Sequence, residues 1–228
     1  MSRTQIVIAL YPGVTHLDFT GPHQVLVRTP NADVIVASVG GQDIQAEGLT
    51  FTGLADLTKI ERCNVLNVPG GFGTAEAMLD EPFMREIRRL GAGAKYLTSV
   101  CTGSLILGAA GFLKGKRAAT HWAWRPLLEP FGATVSDARV ERDGNVITGG
   151  GVTAGLDFAF VLLTELAGED YAQSIQLGLE YAPAPPFNVG RPELARPEIL
   201  AEVKARMAII TDSRFEAAAE AASRMEPA

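Results

Sequence analysis

Residues Lys95–Gly111 read K-Y-L-T-S-V-C-T-G-S-L-I-L-G-A-A-G. Tyr96–Val100 is a short apolar run suited to a strand buried on both faces, and Ser104–Ala110 is a run of small and aliphatic residues suited to a packed helix. Between them stands Ser99-Val100-Cys101-Thr102-Gly103, a small-x-nucleophile-x-small pattern. That is the logic of a nucleophile elbow, where a sharp turn pushes one side chain out and small flanking residues let strand and helix pass closely. A strand that turns at once into a helix is also the unit from which doubly wound α/β sheets are built.

The rest of the chain repeats that unit. Ile6–Leu10 is a continuous apolar strand closed by Tyr11-Pro12-Gly13, and Asp18–Arg28 follows as a helix with Pro22 near its first turn. Asp33–Val39 and Cys63–Val68 read as further parallel strands, the second closed by Pro69-Gly70-Gly71. Gln42–Leu57 is polar and β-like, a hairpin or an edge excursion. Thr74–Leu79 and Pro82–Gly91 read as helices, Arg117–Thr120 as a short strand, and His121–Pro130 as a helix. Arg139–Thr148 is a hairpin turning at Asp143-Gly144. Gly149-Gly150-Gly151 leads into a helix from Val152 to Leu166, and Asp170–Glu180 forms another. The expected fold is therefore α/β: a flavodoxin-like, mostly parallel sheet with helices on both faces. Residues 1–190 make up the α/β domain. Residues 191–228 form a helical extension packed on that domain or on a second subunit.

Composition narrows the function. The chain has 228 residues, 47% hydrophobic and 20% charged, with a net charge of −6 and a pI near 5.2. This acidic balance, without a basic run, argues against nucleic acid as a partner. No apolar run is long enough to span a bilayer, and the N-terminus lacks the pattern of a signal peptide, so no membrane association and a cytoplasmic setting are expected. With two cysteines and three histidines, none at ligand spacing, neither metal nor organic cofactor is expected.

Ligands of doubly wound sheets bind beyond the carboxyl ends of the strands. Three unusual loops lie there, around Asp18, Gly70-Gly71 and Cys101. Cys101 is either a small core residue, as free cysteines often are, or a nucleophile whose thiolate a helix N-terminus stabilises. The elbow favours the second, whereas Cys63, at the start of a core strand, reads as structural. Gly70 and Gly71 can turn N–H groups toward a developing anion, with the Thr102 N–H as another donor and its hydroxyl as a contact for substrate or water. Asp18, in H-L-D-F-T-G-P, is either a helix cap or a carboxyl facing the thiol. His121, in A-T-H-W, is either a base beside Cys101 or a satisfied structural histidine. Gly150, within the triple glycine, permits close backbone packing near the pocket or a hinge for the helix that follows.

The stretches L-D-F-T-G-P, N-V-P-G-G-F-G-T, S-V-C-T-G-S-L-I-L-G-A-A-G, A-T-H-W and T-G-G-G-V-T-A-G-L-D together resemble the ThiJ/PfpI superfamily, which is related to class I glutamine amidotransferases. The resemblance runs from about Gln5 to Asn188. Within the superfamily these motifs, with Glu180–Asn188, are most similar to the branch that hydrates isocyanides. The resemblance implies a homodimer, a small-molecule isocyanide as substrate, Cys101 as nucleophile and Asp18 in place of the glutamate many members carry. The expected reaction adds water to R–NC through a covalent thioimidate on Cys101, with Asp18 as general acid and base, giving an N-substituted formamide. Two other readings use the same residues. One is a cysteine hydrolase or glyoxalase-like enzyme, which would make His121 essential. The other is a redox-sensing or ligand-binding protein in which Cys101 is oxidised. Regulators that join this domain to a DNA-binding region fit less well, since only about forty residues follow Asn188.

Overall fold

The computed structural model describes residues 3–225. In chain order the elements are β1 (Thr4–Ala9), α1 (His16–Leu26), β2 (Ala32–Ser38), β3 (Ile44–Ala46), β4 (Leu49–Phe51), β5 (Ala55–Asp56), β6 (Val65–Val68), α2 (Thr74–Leu79) and α3 (Glu81–Gly93). They continue with β7 (Tyr96–Val100), α4 (Gly103–Ala109), β8 (Arg117–Ala119), β9 (Thr134–Ser136), β10 (Val140–Asp143) and β11 (Val146–Gly149). The chain then becomes helical: α5 (Ala154–Ala167), α6 (Glu169–Gly178), α7 (Pro197–Met207) and α8 (Thr211–Ser223).

One sheet of seven strands runs in the order β10-β11-β7-β6-β1-β2-β5. All its pairings are parallel except β10 with β11, the hairpin that turns at Asp143-Gly144. The sheet is parallel because its strands are joined by helical crossovers, and its central strands are apolar because helices cover both faces. On one face Ile6, Val65 and Ile147 pack against Val25 and Leu26 of α1 and Phe158 and Leu162 of α5. On the other, Val7, Leu66 and Val68 meet Met78, Phe83, Ile87 and Leu105 from α2, α3 and α4. Ala217, Ala218 and Ala221 bring α8 onto that same layer.

Two local expectations change. The stretch Arg117–Ala119 does form a strand, but it pairs in parallel with β9 in a separate two-stranded sheet. The segment after it, Trp122–Phe131, is a 3₁₀ helix rather than an α-helix. Pro126 and Pro130 lie inside it, and each removes a donor that an α-helical ladder would need. The polar region after β2 resolves into the β3–β4 hairpin, turning at Glu47-Gly48, followed by β5 at the sheet edge.

The strand order places the site. β1 lies between β2 and β6, so the chain reverses direction across the sheet there, and the loops after β1 and β6 splay apart at that switch point. β7 is the next strand along. The Asp18, Gly70-Gly71 and Cys101 loops thus leave three adjacent strands at one edge. Gly103 lets the elbow close, because a Cβ there would overlap the Val68 carbonyl oxygen. Gly103→Ala is expected to destabilise the fold by roughly 3 kcal/mol, the upper range for overpacking a core. An unchanged urea midpoint would show that strand and helix have room to separate.

Candidate active site

Cys101 sits at the turn with φ of 55°, in the left-handed region that residues other than glycine seldom adopt. Such strain persists only where surrounding contacts hold it. Here the Cys101 N–H donates to the Gly149 carbonyl at 3.0 Å, and its own carbonyl accepts from Thr120 Oγ1 at 3.0 Å and Ser104 Oγ at 3.2 Å. Both backbone polar groups are therefore tied, and the side chain is left to face a cleft of about 650 Å³. Thr102, His121, Trp124, Leu17 and Phe72 share the lining.

Asp18 is not the cap of α1. The cap position of α1 belongs to Thr15, and Asp18 lies inside the first turn, completely buried. Its Oδ2 accepts from the Gly70 N–H at 2.9 Å, its Oδ1 is buried without a hydrogen-bond partner, and the Cys101 thiol acts on the same carboxyl. Burial dominates its acidity. It lifts the pKa from 3.8 to about 7, against the opposing pull of the Gly70 and Cys101 hydrogen bonds. Glu47, at the tip of the β3–β4 hairpin, adds to the rise.

The thiol departs from expectation. A helix N-terminus was expected to lower the Cys101 pKa, but burial pushes it well above its ordinary value, and the Asp18 carboxylate pushes the same way. The Thr102 N–H and hydroxyl and the Arg214 guanidinium pull it down without overcoming the desolvation. The helix that follows is only seven residues long, a weak dipole against full burial. The resting pair is therefore a thiol beside a carboxyl that titrates near neutrality.

Gly70 and Gly71 also act differently from the anion-holding donors expected. The Gly70 N–H is engaged by Asp18 and the Gly71 N–H by Thr102 Oγ1 at 3.0 Å. Their role here is to anchor the two side chains that flank the sulfur. A Cβ at position 70 would lie 2.5 Å from the Thr102 nitrogen and 2.9 Å from Asp18 Oδ2, so only glycine lets these groups converge. The Thr102 hydroxyl also meets Thr74 Oγ1 at 2.7 Å, and Thr74 in turn meets the Tyr11 hydroxyl at 3.1 Å.

His121 lines the cleft, yet its Nδ1 accepts the Ala123 N–H at 3.3 Å and caps the 3₁₀ segment. Burial, with Arg214 and Arg125 nearby, lowers its pKa to about 4. A neutral ring whose Nδ1 is an acceptor carries its proton on Nε2, which makes it a donor toward the cleft, not a base. Gly150 lies outside this cleft, donating its N–H to the Arg139 carbonyl at 2.9 Å; the glycine that touches the elbow is Gly149. Cys63 is buried, with its thiol against the Leu90 carbonyl at 3.7 Å and its pKa raised to about 11 by burial. Among the described residues no three His, Cys, Asp or Glu side chains gather as a metal site.

Sequence reasoning missed Tyr11, Thr74 and, above all, the C-terminal helices. Met207, Ile209 and Ile210 form an apolar wall of the cleft, and Arg214 of α8 reaches its floor. A signal existed for the last. Arg214, Ala217, Ala218 and Ala221 recur at the spacing of one helix face and are all buried, so the arginine sits on the face that packs inward.

The buried Asp18 has a consequence for stability. Its carboxyl keeps a proton to higher pH when folded than when unfolded, so between about 3.8 and 7 the fold binds more protons than the unfolded chain. Stability falls as pH rises through that window. Asp18→Asn removes the buried charge and retains an acceptor for Gly70. The variant is expected to be more stable than the parent at pH 8, by on the order of 3 kcal/mol, with the difference shrinking toward pH 4. A lower melting temperature than the parent at pH 8 would contradict this.

A family profile described as DJ-1/PfpI matches residues 4–165. The chain is 48% identical to an isonitrile hydratase of Pseudomonas putida over 97% of both chains. Among solved structures, a ThiJ/PfpI family protein from Pseudomonas syringae superposes with a TM-score of 0.92 at 40% identity, covering 96% of this chain and 91% of that one. Drosophila melanogaster DJ-1beta superposes with a TM-score of 0.72 at 24% identity, covering 79% of this chain and all of its own, a likeness of fold.

Proposed function

The chain belongs to the DJ-1/PfpI family, and on that premise we propose that it is an isonitrile hydratase, converting R–NC and water to the N-substituted formamide. One observation supports this best: a buried thiol lines an apolar cleft, and a buried carboxyl of near-neutral pKa acts on the same sulfur. The terminal carbon of an isocyanide must receive a nucleophile and a proton at the same atom. A thiol–carboxylate pair holds one of each.

Formation of the thioimidate needs only that single proton. Asp18, as carboxylate, takes the Cys101 proton while sulfur bonds to the terminal carbon. Asp18 then delivers the proton to that carbon, leaving R–N=CH–S–Cys101 and a carboxylate again. Water adds to the same carbon as Asp18 takes one of its protons and passes it to the nitrogen; the remaining hydroxyl proton goes through Asp18 to sulfur in the last step. The C–S bond then breaks, sulfur recovers its proton and R–NH–CHO leaves. Dividing one difficult addition into two easier ones is the usual gain of covalent catalysis. Thr102, whose N–H and hydroxyl pull the thiol pKa down, steadies the charge that passes through the sulfur. The R group lies against Leu17, Phe72, Met207 and Ile210. A hydrolase on the same site would need a base at His121, where a neutral donor stands.

The protein works as a homodimer in this reading. Leu177, Phe187, Val189 and Leu194 are exposed apolar side chains clustered within eighteen positions of sequence, the composition of a surface that a second copy covers. The setting is the cytoplasm, in keeping with two unpaired cysteines. Among the described residues no helix is long and apolar enough to cross a membrane.

Mixing the purified protein with an aryl isocyanide and following the formyl resonance by NMR tests the activity. Catalytic appearance of formamide is the expected result. Its absence across aryl and alkyl isocyanides would overturn the assignment.

A further inference from the structure

Arg214 is only 3% exposed. Its Nη2 donates to the Gly71 carbonyl at 2.6 Å, and its guanidinium lies 4.5 Å from the centre of the Trp124 ring. Its Nε has no partner, and among the described residues no carboxylate lies within ion-pair distance of it. A buried cation without a counter-ion is costly, and a protein without a use for it would do better with an apolar side chain. The guanidinium borders the cleft that holds Cys101.

We propose that Arg214 is the positioning residue of this site: it clamps the Gly70-Gly71 strap and supplies the missing counter-charge when sulfur becomes anionic. The proposal rests on Cys101 being the nucleophile of the proposed reaction. Two lines of geometry meet in it. The first runs through the strap. The Gly71 carbonyl is held by Arg214 and by Thr74 Oγ1 at 2.7 Å, while the N–H groups of Gly71 and Gly70 hold Thr102 and Asp18. One guanidinium thus fixes the peptide that aims both partners of the sulfur. The second is charge. The titratable groups acting on Cys101 are Asp18 and Arg214; Tyr11 is buried and neutral, and His121 is neutral. Glu47 acts on Asp18 and the exposed Glu76 on Arg214. When Asp18 is ionised, Arg214 is, among the described residues, the sole cation that acts directly on the sulfur.

The cation therefore arrives from the C-terminal helix α8, and α8 must be docked for the thiol to ionise.

Alkylation of Cys101 by iodoacetamide, located by peptide mass and measured against pH, reads the ionisation without using an isocyanide. Arg214→Met keeps the stem over Trp124 and removes the charge. It is expected to slow alkylation at pH 7.5 by about tenfold, matching an upward shift of about one pH unit. In turnover, kcat should fall with KM little changed. Arg214→Lys keeps the charge, loses the fork and should recover most of the alkylation rate. A wild-type alkylation profile in Arg214→Met would overturn the proposal, as would a lysine variant no better than methionine. If Arg214→Met fails to fold, the lysine variant decides: near wild-type alkylation supports the counter-charge, and a folded lysine variant slowed tenfold or more refutes it. A wild type that alkylates with this dependence but makes no formamide would refute the hydratase reading and leave Arg214 in its role.

Discussion

Cys101→Ala is expected to abolish formamide production, lowering kcat/KM by on the order of 10⁴-fold or more while the protein stays folded. The size of the effect follows from the scheme. Every bond change at the isocyanide carbon passes through the sulfur, and alanine leaves nothing that can form the thioimidate. The fold should survive because the interactions that hold residue 101 are its own backbone N–H and carbonyl, bonded to Gly149, Thr120 and Ser104. Formamide by NMR is the readout, with a melting curve as control. Turnover near the wild-type rate would end the covalent scheme.

The second large effect is at Asp18. Asparagine fills the same space and still accepts from the Gly70 N–H, but it cannot carry a proton. The expected loss in kcat is about 10²- to 10⁴-fold, the usual contribution of a positioned acid or base. The sign of the pH dependence follows from the same carboxyl. Asp18 accepts the thiol proton only when ionised, so kcat/KM should rise with pH through a midpoint near 7. Burial sets this midpoint; the Gly70 N–H and Cys101 pull it down and Glu47 pushes it up. In Asp18→Asn that rise should vanish from the residual activity. A flat profile between pH 5 and 8 in the parent, or unaltered kcat in the variant, would return Asp18 to a structural role. The same substitution is expected to stabilise the protein at pH 8, so lost activity cannot be blamed on lost fold.

What could be read from the chain follows the range of the forces involved. The elbow at Ser99–Gly103 was legible because its signals are local: a strand, a turn and a helix within fourteen positions, with glycine where the backbones cross. The meeting of the Asp18, Gly70-Gly71 and Cys101 loops was legible too, since strand order in a doubly wound sheet brings the loops after its central strands together. The partners of each group were not. Whether the Gly70 N–H faces an anion or holds Asp18 depends on how α1 docks across the sheet, a contact between residues 52 positions apart. The choice for Asp18 between cap and acid turned on a cap three residues earlier, at Thr15, at the level where boundaries are hardest to place. The direction of the Cys101 pKa was misjudged because the helix dipole is visible in sequence and full burial is not. Arg214 escaped notice for a different reason. Its helix looked like an alanine-rich cover, and the meaning of one charge on the inward face appears only when Trp124 and Gly71 lie beneath it.

The most direct measurement is a single turnover with enzyme in excess over a bulky, slowly reacting aryl isocyanide, quenched in acid at successive times and read by intact mass and peptide mapping. A covalent thioimidate predicts a mass gain of one whole isocyanide on the peptide containing Cys101, rising and then decaying at the rate at which formamide forms. A Cys101 peptide that stays unmodified while formamide accumulates, or an adduct that persists after formamide has formed, would contradict it.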